Sequence, residues 1–393
     1  MNKTIGATLL MIGTCMGGGM LALPIATAAG GFYKAAAIII FAWFFMTVGS
    51  FLVLEVNLYL PNKTNLISMS KSTLGRLGQI VAWISYCLVL YSGLCAYGAG
   101  GGGILQSLFF DLHIHLNITM SSILYIIILA AIVFAGTHWI DYSNRLFMIA
   151  KIAFLISLIA LILPHSNPHK IIHGSTAKLI KQSALITAVA FTFSIIIPSM
   201  RYYLNSDIKK LKIAIILGGT IPLICYLLWI YAVQTTVPTY GPNGLIGMAH
   251  GNTTLQLAEA LSNIANSDWL TTIAHLFISF CMITAFLTVS LSLSDFIADG
   301  FNKEKKGKGK FFVYGVTFIP VLVILTIAPN IFILGLKIAS AFCIILVIIL
   351  PTLMAWFGRY HRKIDKGLFR VPGGKPLLII TFLIGVLAIL SSL

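Results

Sequence analysis

Long apolar runs, each closed by a short stretch of polar, glycine or proline residues, set the pattern of this 393-residue chain. They predict eleven helices, at about 5–29, 33–59, 77–109, 120–137, 144–164, 180–203, 209–235, 268–298, 311–328, 332–357 and 375–392. A helix needs about 20 apolar residues to cross a bilayer, and most of these runs meet that length. The expected fold is an all-α polytopic membrane protein in which residues 1–393 form a single transmembrane domain.

Two runs carry an interruption. The first contains Gly13-Thr14-Cys15-Met16-Gly17-Gly18-Gly19-Met20-Leu21-Ala22-Leu23-Pro24. Each glycine costs a helix interior about 1 kcal/mol, so three in succession let the backbone unwind partway across the membrane. Unwound backbone at that depth must line a cavity or be buried in protein, because bare N–H and C=O groups cannot face lipid. In the sixth run, Ala190 to Ser199, Pro198 removes the N–H that would bond Ser194 and clashes with its carbonyl, which predicts a kink just before it. Broken first and sixth spans, with long third and eighth spans, are the pattern of a five-plus-five inverted repeat. Its halves would be about 5–164 and 180–357, with an extra helix at about 375–392. The alternative is a glycine packing face and an unrelated proline kink.

Composition agrees with the class: 59% of residues are hydrophobic, 9% are charged, and mean hydropathy is +0.98. The formal charge of +16 suggests nucleic acid only until it is mapped. Lysine and arginine concentrate at Lys3, Lys63 to Arg76, Arg145, Arg201 to Lys212, Lys303 to Lys310 and Arg359 to Lys375, on alternate loops. The positive-inside bias then places the N-terminus in the cytoplasm and, with an odd span count, the C-terminus outside. The basic charge meets the lipid bilayer's inner surface, and no nucleic-acid partner is expected. The six cysteines lie in apolar runs without metal or disulfide spacing. Residues 2–28 could be misread as a secretory signal, but their length, their glycines and the following spans favour a retained helix.

At the first break, the N–H groups of about Gly17 to Met20 open a second half-helix whose positive end suits a carboxylate. Carbonyls of the first half-helix and of Thr192 to Ile195 can accept an ammonium. The expected binding set is Gly13, Thr14, Gly17, Gly18, Gly19 and Met20, with Tyr91 and Cys95 from the third span and Phe191, Thr192, Phe193 and Ser194 from the sixth. Tyr86, Ser92 and Tyr97 lie beside them in sequence, and such aromatic rings suit an aromatic or large apolar ligand. Lys151, two turns into the fifth span, either exchanges a proton during transport or snorkels to the interface. Thr284 and Thr288 form a possible cation face on the eighth span, or bond back to their own helix. Glu55, Asp295 and Lys337 are read as structural or topological charges. Gly98 to Gly103, without a following Gly-Lys-Ser/Thr, is read as a close crossing against the broken helices. His113 and His115 lack a third ligand, and no metal or cofactor is expected. The loop 236–267 is read as an external cap, either lid or passive surface. The spans contain no nucleophile–base pair, and too few polar groups for a continuous pore, so neither an enzyme nor a channel is expected.

The stretch Gly13-Thr14-x-x-Gly17-x-Gly19-Met20-Leu21-Ala22-x-Pro24 resembles the first-helix motif of the hydroxy/aromatic amino acid permeases, bacterial tyrosine and tryptophan carriers of the amino acid/polyamine/organocation superfamily. Phe191, Pro198-Ser199, Arg201-Tyr202-Tyr203 and Leu293 to Asp299 agree with that resemblance. It implies a LeuT-type inverted repeat and proton-driven import of tyrosine or tryptophan across the bacterial inner membrane. Sodium coupling, or a small neutral or hydroxy amino acid substrate, is the alternative, and an amino-acid sensor on the same fold is a competing class. The chain departs from the family where Ser194 replaces the usual histidine of the sixth-helix break and the flanking glycines are missing. This moves the coupling proton towards Lys151.

Overall fold

In the computed structural model, residues 3–391 are described except 63, 136, 173, 242–243, 250–252, 263–267, 302, 304, 306 and 366. The chain begins with two half-helices, α1 (Lys3–Cys15) and α2 (Gly18–Thr27), followed by α3 (Phe32–Tyr59), α4 (Leu66–Asp111), α5 (Ile118–Ala135) and α6 (Thr137–Ile162). A second divided helix follows, α7 (Thr176–Val189) and α8 (Ile197–Tyr203), then α9 (Ile208–Thr236). Two short helices, α10 (Leu245–Met248) and α11 (Thr253–Ser262), lead to α12 (Asp268–Gly300) and α13 (Gly307–Ile327). The chain ends with α14 (Phe332–Ile344), a π turn, α15 (Leu350–Trp356) and α16 (Gly374–Leu390). Among the described residues, eight helices are long and apolar enough to cross a membrane, and the bent α1–α2 pair makes a ninth. Two shorter apolar helices, Ile118–Phe134 and Gly374–Leu390, accompany them.

Local chemistry fixes several boundaries. Asn65 caps α4 by accepting from the Ser68 N–H at 2.9 Å, and Asp207 caps α9 by accepting from Lys210 at 3.1 Å. The Lys210 hydrogen bond holds the Asp207 carboxyl below the usual carboxylate range. The helix expected from residue 77 starts at Leu66 and turns at Gly75, whose φ of 80° needs glycine. The gap expected before residue 144 is helical from Thr137, and the Arg145 side chain lies outside the described residues.

The helices form two groups. One packs α1, α2 and α3 with α7, α8 and α9; the other packs α4 and α5 with α12 and α13. α6 lies against both α9 and α12, while α14 joins α4 to α7. The Gly98 to Gly103 run serves the second group rather than the broken helices. A Cβ at Gly101 would lie 2.1 Å from Tyr125, and one at Gly102 would lie 2.1 Å from Ser122, both on α5. The expected cap is present in part. α11 packs on α4 and α12, and the Thr254 hydroxyl donates to the Gly100 carbonyl at 2.8 Å. The cap's residues 242–243, 250–252 and 263–267 lie outside the described residues.

Two basic residues assigned to the cytoplasmic surface are buried instead. Arg359 pairs with Glu55 through two hydrogen bonds of 2.7 and 2.5 Å, and the Val371 N–H and Tyr59 hydroxyl also donate to that carboxylate. Arg201, 7% exposed, donates from α8 to the Asn57 backbone carbonyl and to the Leu60 carbonyl at the end of α3. Glu55 thus has the structural pairing expected of it, and so does Asp295, which pairs with Lys305.

Candidate functional site at the two helix breaks

The first break falls at Met16 and Gly17, and α2 leaves it bent by 51° from α1. The Gly17 N–H donates to the Cys15 carbonyl and the Met20 N–H to the Gly17 carbonyl. The amides of Gly18 and Gly19 therefore form the open end of α2, a narrower set than Gly17 to Met20. Crowding holds Gly18 as glycine, while the atom that faces Gly13 belongs to a flexible methionine side chain. A Cβ at Gly18 would lie 2.5 Å from the Tyr97 ring, and one at Gly13 would lie 2.2 Å from the Met148 sulfur.

The second break lies upstream of its predicted position. α7 ends at Val189, Phe191 adopts φ −117° and ψ 38°, and Thr192–Ile196 forms a 3-10 turn. Pro198 opens α8 rather than kinking the span, because a helix's first turn needs no N–H from it. The Ala190 carbonyl freed by the break accepts from the Tyr226 hydroxyl at 2.9 Å. The two breaks meet: a Cβ on Gly19 would lie 3.3 Å from Val189 and 3.6 Å from the Ala190 backbone.

The anticipated side chains divide by position. Phe191 is fully buried, edge-on to the Tyr226 ring at 5.3 Å. Phe193 is buried against Gly219, and its backbone lies beside the Cys15 thiol. Thr192 and Thr14 are half-buried, with their hydroxyls donating to the carbonyls three residues earlier, Val189 and Met11. Ser194 shares a 2.5 Å hydrogen bond with Ser50 of α3, so this hydroxyl ties the break to its neighbour. Cys95 is buried on α4. Tyr91 is turned away, its hydroxyl donating to the Val316 carbonyl of α13 at 2.7 Å. Tyr97, six residues further on, is the α4 tyrosine at the first break.

Lys151 is 2% exposed, so it does not snorkel. It lies on α6 near the thiols of Cys15 and Cys281, in the seam between α1 and α12. The expected cation face on α12 fares differently. The Thr284 and Thr288 hydroxyls donate to the carbonyls of Phe280 and Thr284, and Thr288 is exposed. α12 meets the first break through Ala285, whose Cβ would be 3.7 Å from one at Gly17.

Two cavities flank this region. One, of about 280 Å³, opens between α3, α7 and α16 and is walled almost wholly by apolar side chains such as Phe41, Phe45 and Ile348. The other, of about 320 Å³, lies between α2, α7, α10 and α14 and includes Gln182, Asn330 and Lys337. Among the described residues, no group of three or more histidine, cysteine or acidic side chains could hold a metal ion.

The fold has known counterparts. A manganese transporter of Eremococcus coleocola, in a mutant crystal structure, aligns with a TM-score of 0.62 over 98% of this chain and 84% of its own, at 12% identity. The broken first helix and this shared fold define an all-α polytopic membrane protein with the architecture of that transporter. Residues 1–392 match the tryptophan/tyrosine permease family, and the chain belongs to it. It is 30% identical over 394 residues to "Tyrosine-specific transport system 1" of Haemophilus influenzae, covering 98% of this chain and 96% of that one. The "Tryptophan-specific transport protein" of the same organism is 28% identical, with 99% and 95% covered. "Glutamine transporter 2" of Aliivibrio fischeri is 26% identical, with 100% and 99% covered. The chain is thus a permease rather than an enzyme.

Proposed function

We propose that this permease imports an aromatic amino acid, tyrosine or tryptophan, by proton-coupled symport across the bacterial inner membrane. The observation that carries this reading is the meeting of two helix breaks beside an open helix end and aromatic rings. The substrate carboxylate would sit on the Gly18 and Gly19 amides, where the α2 dipole favours negative charge. The ammonium would take carbonyls of the broken segments, and the ring would lie by Tyr97 and Phe191. Full-length similarity to tyrosine- and tryptophan-specific carriers supports that choice.

Lys151 is the proposed proton carrier. A protonated lysine between α1 and α12 repels a second cation, which favours proton over sodium coupling at this seam. Its loss of the proton to the cytoplasm would complete each cycle.

The proposed architecture is eleven spans with the N-terminus inside and a five-plus-five inverted repeat. The repeat is supported by a constant spacing: Cys15 to Val189, Gly17 to Phe191, Pro24 to Pro198 and Thr27 to Arg201 are separated by the same number of residues. The first two pairs are the equivalent ends and caps of the two broken helices. An outer cavity together with intact ties at the cytoplasmic end suits an outward-facing carrier.

The test is uptake of radiolabelled tyrosine, tryptophan, phenylalanine and glutamine into proteoliposomes under separate pH and sodium gradients. One aromatic amino acid should accumulate with the pH gradient, and Lys151→Ala should abolish accumulation. Uptake driven by sodium alone would overturn the coupling, and binding without uptake would favour a sensor. Glutamine is included because a full-length relative bears that substrate in its name; accumulation of glutamine alone would overturn the aromatic assignment.

A further inference from the structure

Lys337, read from the sequence as a structural or topological charge, has no acidic partner among the described residues, whereas the more deeply buried Glu55, Arg201 and Arg359 each have a charged or carbonyl partner. It is half-buried on α14, about 8 Å from the start of that helix at 1.5 Å per residue. There it lines the 320 Å³ cavity with Gln182 of α7 and Asn330 just before α14.

The cavity's walls relate it to the breaks. Ile25 and Ala26 lie about 10 Å further along α2 than Gly18, and Gln182 lies about two turns before the α7 break. The break contact of Gly19 with Val189 and Ala190 involves none of the residues that line this space. Ile246 and Ala249, from α10 and the residue after it, form the opposite wall. The chamber is therefore separate from the substrate position proposed above, yet it is bounded by the two half-helices that frame it. Its chemistry is one cation and two carboxamides among apolar side chains, which matches a carboxylate carrying an apolar group.

We propose that this chamber is an outer binding site for the amino acid, in which Lys337 holds the carboxylate before the molecule passes to the Gly18 and Gly19 amides. The inference rests on the import reading. Lys337 draws the anion in, Gln182 and Asn330 offer hydrogen bonds to its polar end, and the ring lies on the Ile25 and Ile333 side. Passage inward exchanges a charged side chain for a helix end, so the carboxylate keeps a positive partner at each stage.

The test compares Lys337→Gln and Lys337→Arg with the unsubstituted permease in proteoliposomes, reading uptake rate against amino acid concentration. Lys337→Gln should raise KM about tenfold, the loss of one charge-assisted hydrogen bond, with the maximal rate kept within about twofold. Lys337→Arg should stay within about threefold of the original KM. A second measurement reads the chamber without transport. In the Ala249→Cys protein, tyrosine or tryptophan should slow labelling by a membrane-impermeant maleimide, with the unsubstituted chain as baseline. The corresponding amines, tyramine and tryptamine, should not, and adding Lys337→Gln should remove the protection. Unchanged KM in Lys337→Gln, or equal protection by amine and amino acid, overturns the outer site. Protection without uptake of any amino acid would leave the outer site standing and overturn the import reading instead.

Discussion

The two ends of the helix bundle, outer and inner in the proposed topology, are tied by the same pair of positions but by different chemistry. At one end, Gln234 of α9 donates to the Pro24 carbonyl and the Thr27 hydroxyl of α2. At the other, Arg201 of α8 donates to the Asn57 and Leu60 carbonyls of α3 and to the Ser206 hydroxyl. Thr27 and Arg201 share the repeat spacing, and so do Leu60 and Gln234. A neutral amide thus does on one side what a guanidinium does on the other. The inner end also holds the buried Glu55–Arg359 pair. Hydrogen bonds to a charged group contribute about 1.5–3 kcal/mol against about 1 for neutral ones, so the inner end is the more firmly closed. A carrier that alternates must open both, and this difference would favour the state closed at the Arg201 end.

The comparison breaks most severely at the ion pair. Glu55→Gln leaves a buried guanidinium without its carboxylate and should cost about 3–5 kcal/mol, seen as a large fall in Tm in detergent. Replacing both partners, Glu55→Leu with Arg359→Met, should recover much of that loss, since no unpaired charge remains. Next in size, Arg201→Gln should move the carrier towards its inward-open state by about tenfold or more. Labelling of a cysteine placed at Asn57 by a thiol reagent, added from the cytoplasmic side, would report that shift. The smallest effect belongs to Gln234→Leu. It removes two neutral bonds, but also a buried carbonyl that finds no partner among the described residues. A shift of about fivefold or less towards the outward-open state is expected, with Tm nearly unchanged. An equal response to Arg201→Gln and Gln234→Leu would remove the asymmetry.

Much of this arrangement is legible in the chain. The three glycines locate the first break because backbone freedom is a local property, and the apolar runs locate the helices because hydropathy is too. The depth of Lys151 in its span leaves burial and snorkelling both open, and its place beside Cys15 and Cys281 decides for burial. The second break is less legible: no glycine marks Ala190 and Phe191, and the backbone opens there where Tyr226 and Gly19 receive it from other helices. Pro198 signals the helix that restarts, five residues after the 3-10 turn begins, and so reads as a kink in the wrong place. Tyr91 and Tyr97 lie on different faces of α4, and periodicity does not say which face meets the break. Arg201 and Arg359 read as surface charge, because their partners Asn57 and Glu55 are far away in sequence. That Lys337 has no acidic partner among the described residues is likewise a property of what surrounds it in space.

The Glu55–Arg359 pair has a further consequence, measured in time. The two residues are 304 positions apart. At about 5–20 residues per second, the ribosome releases Glu55 roughly 15–60 s before its partner exists. Until then a lone carboxylate at the end of the second span is held towards water by its own solvation. A span held in that way would reach its final depth once the chain beyond the penultimate helix, where Arg359 lies, has been synthesised, so this one ion pair would couple an early step of assembly to a late one.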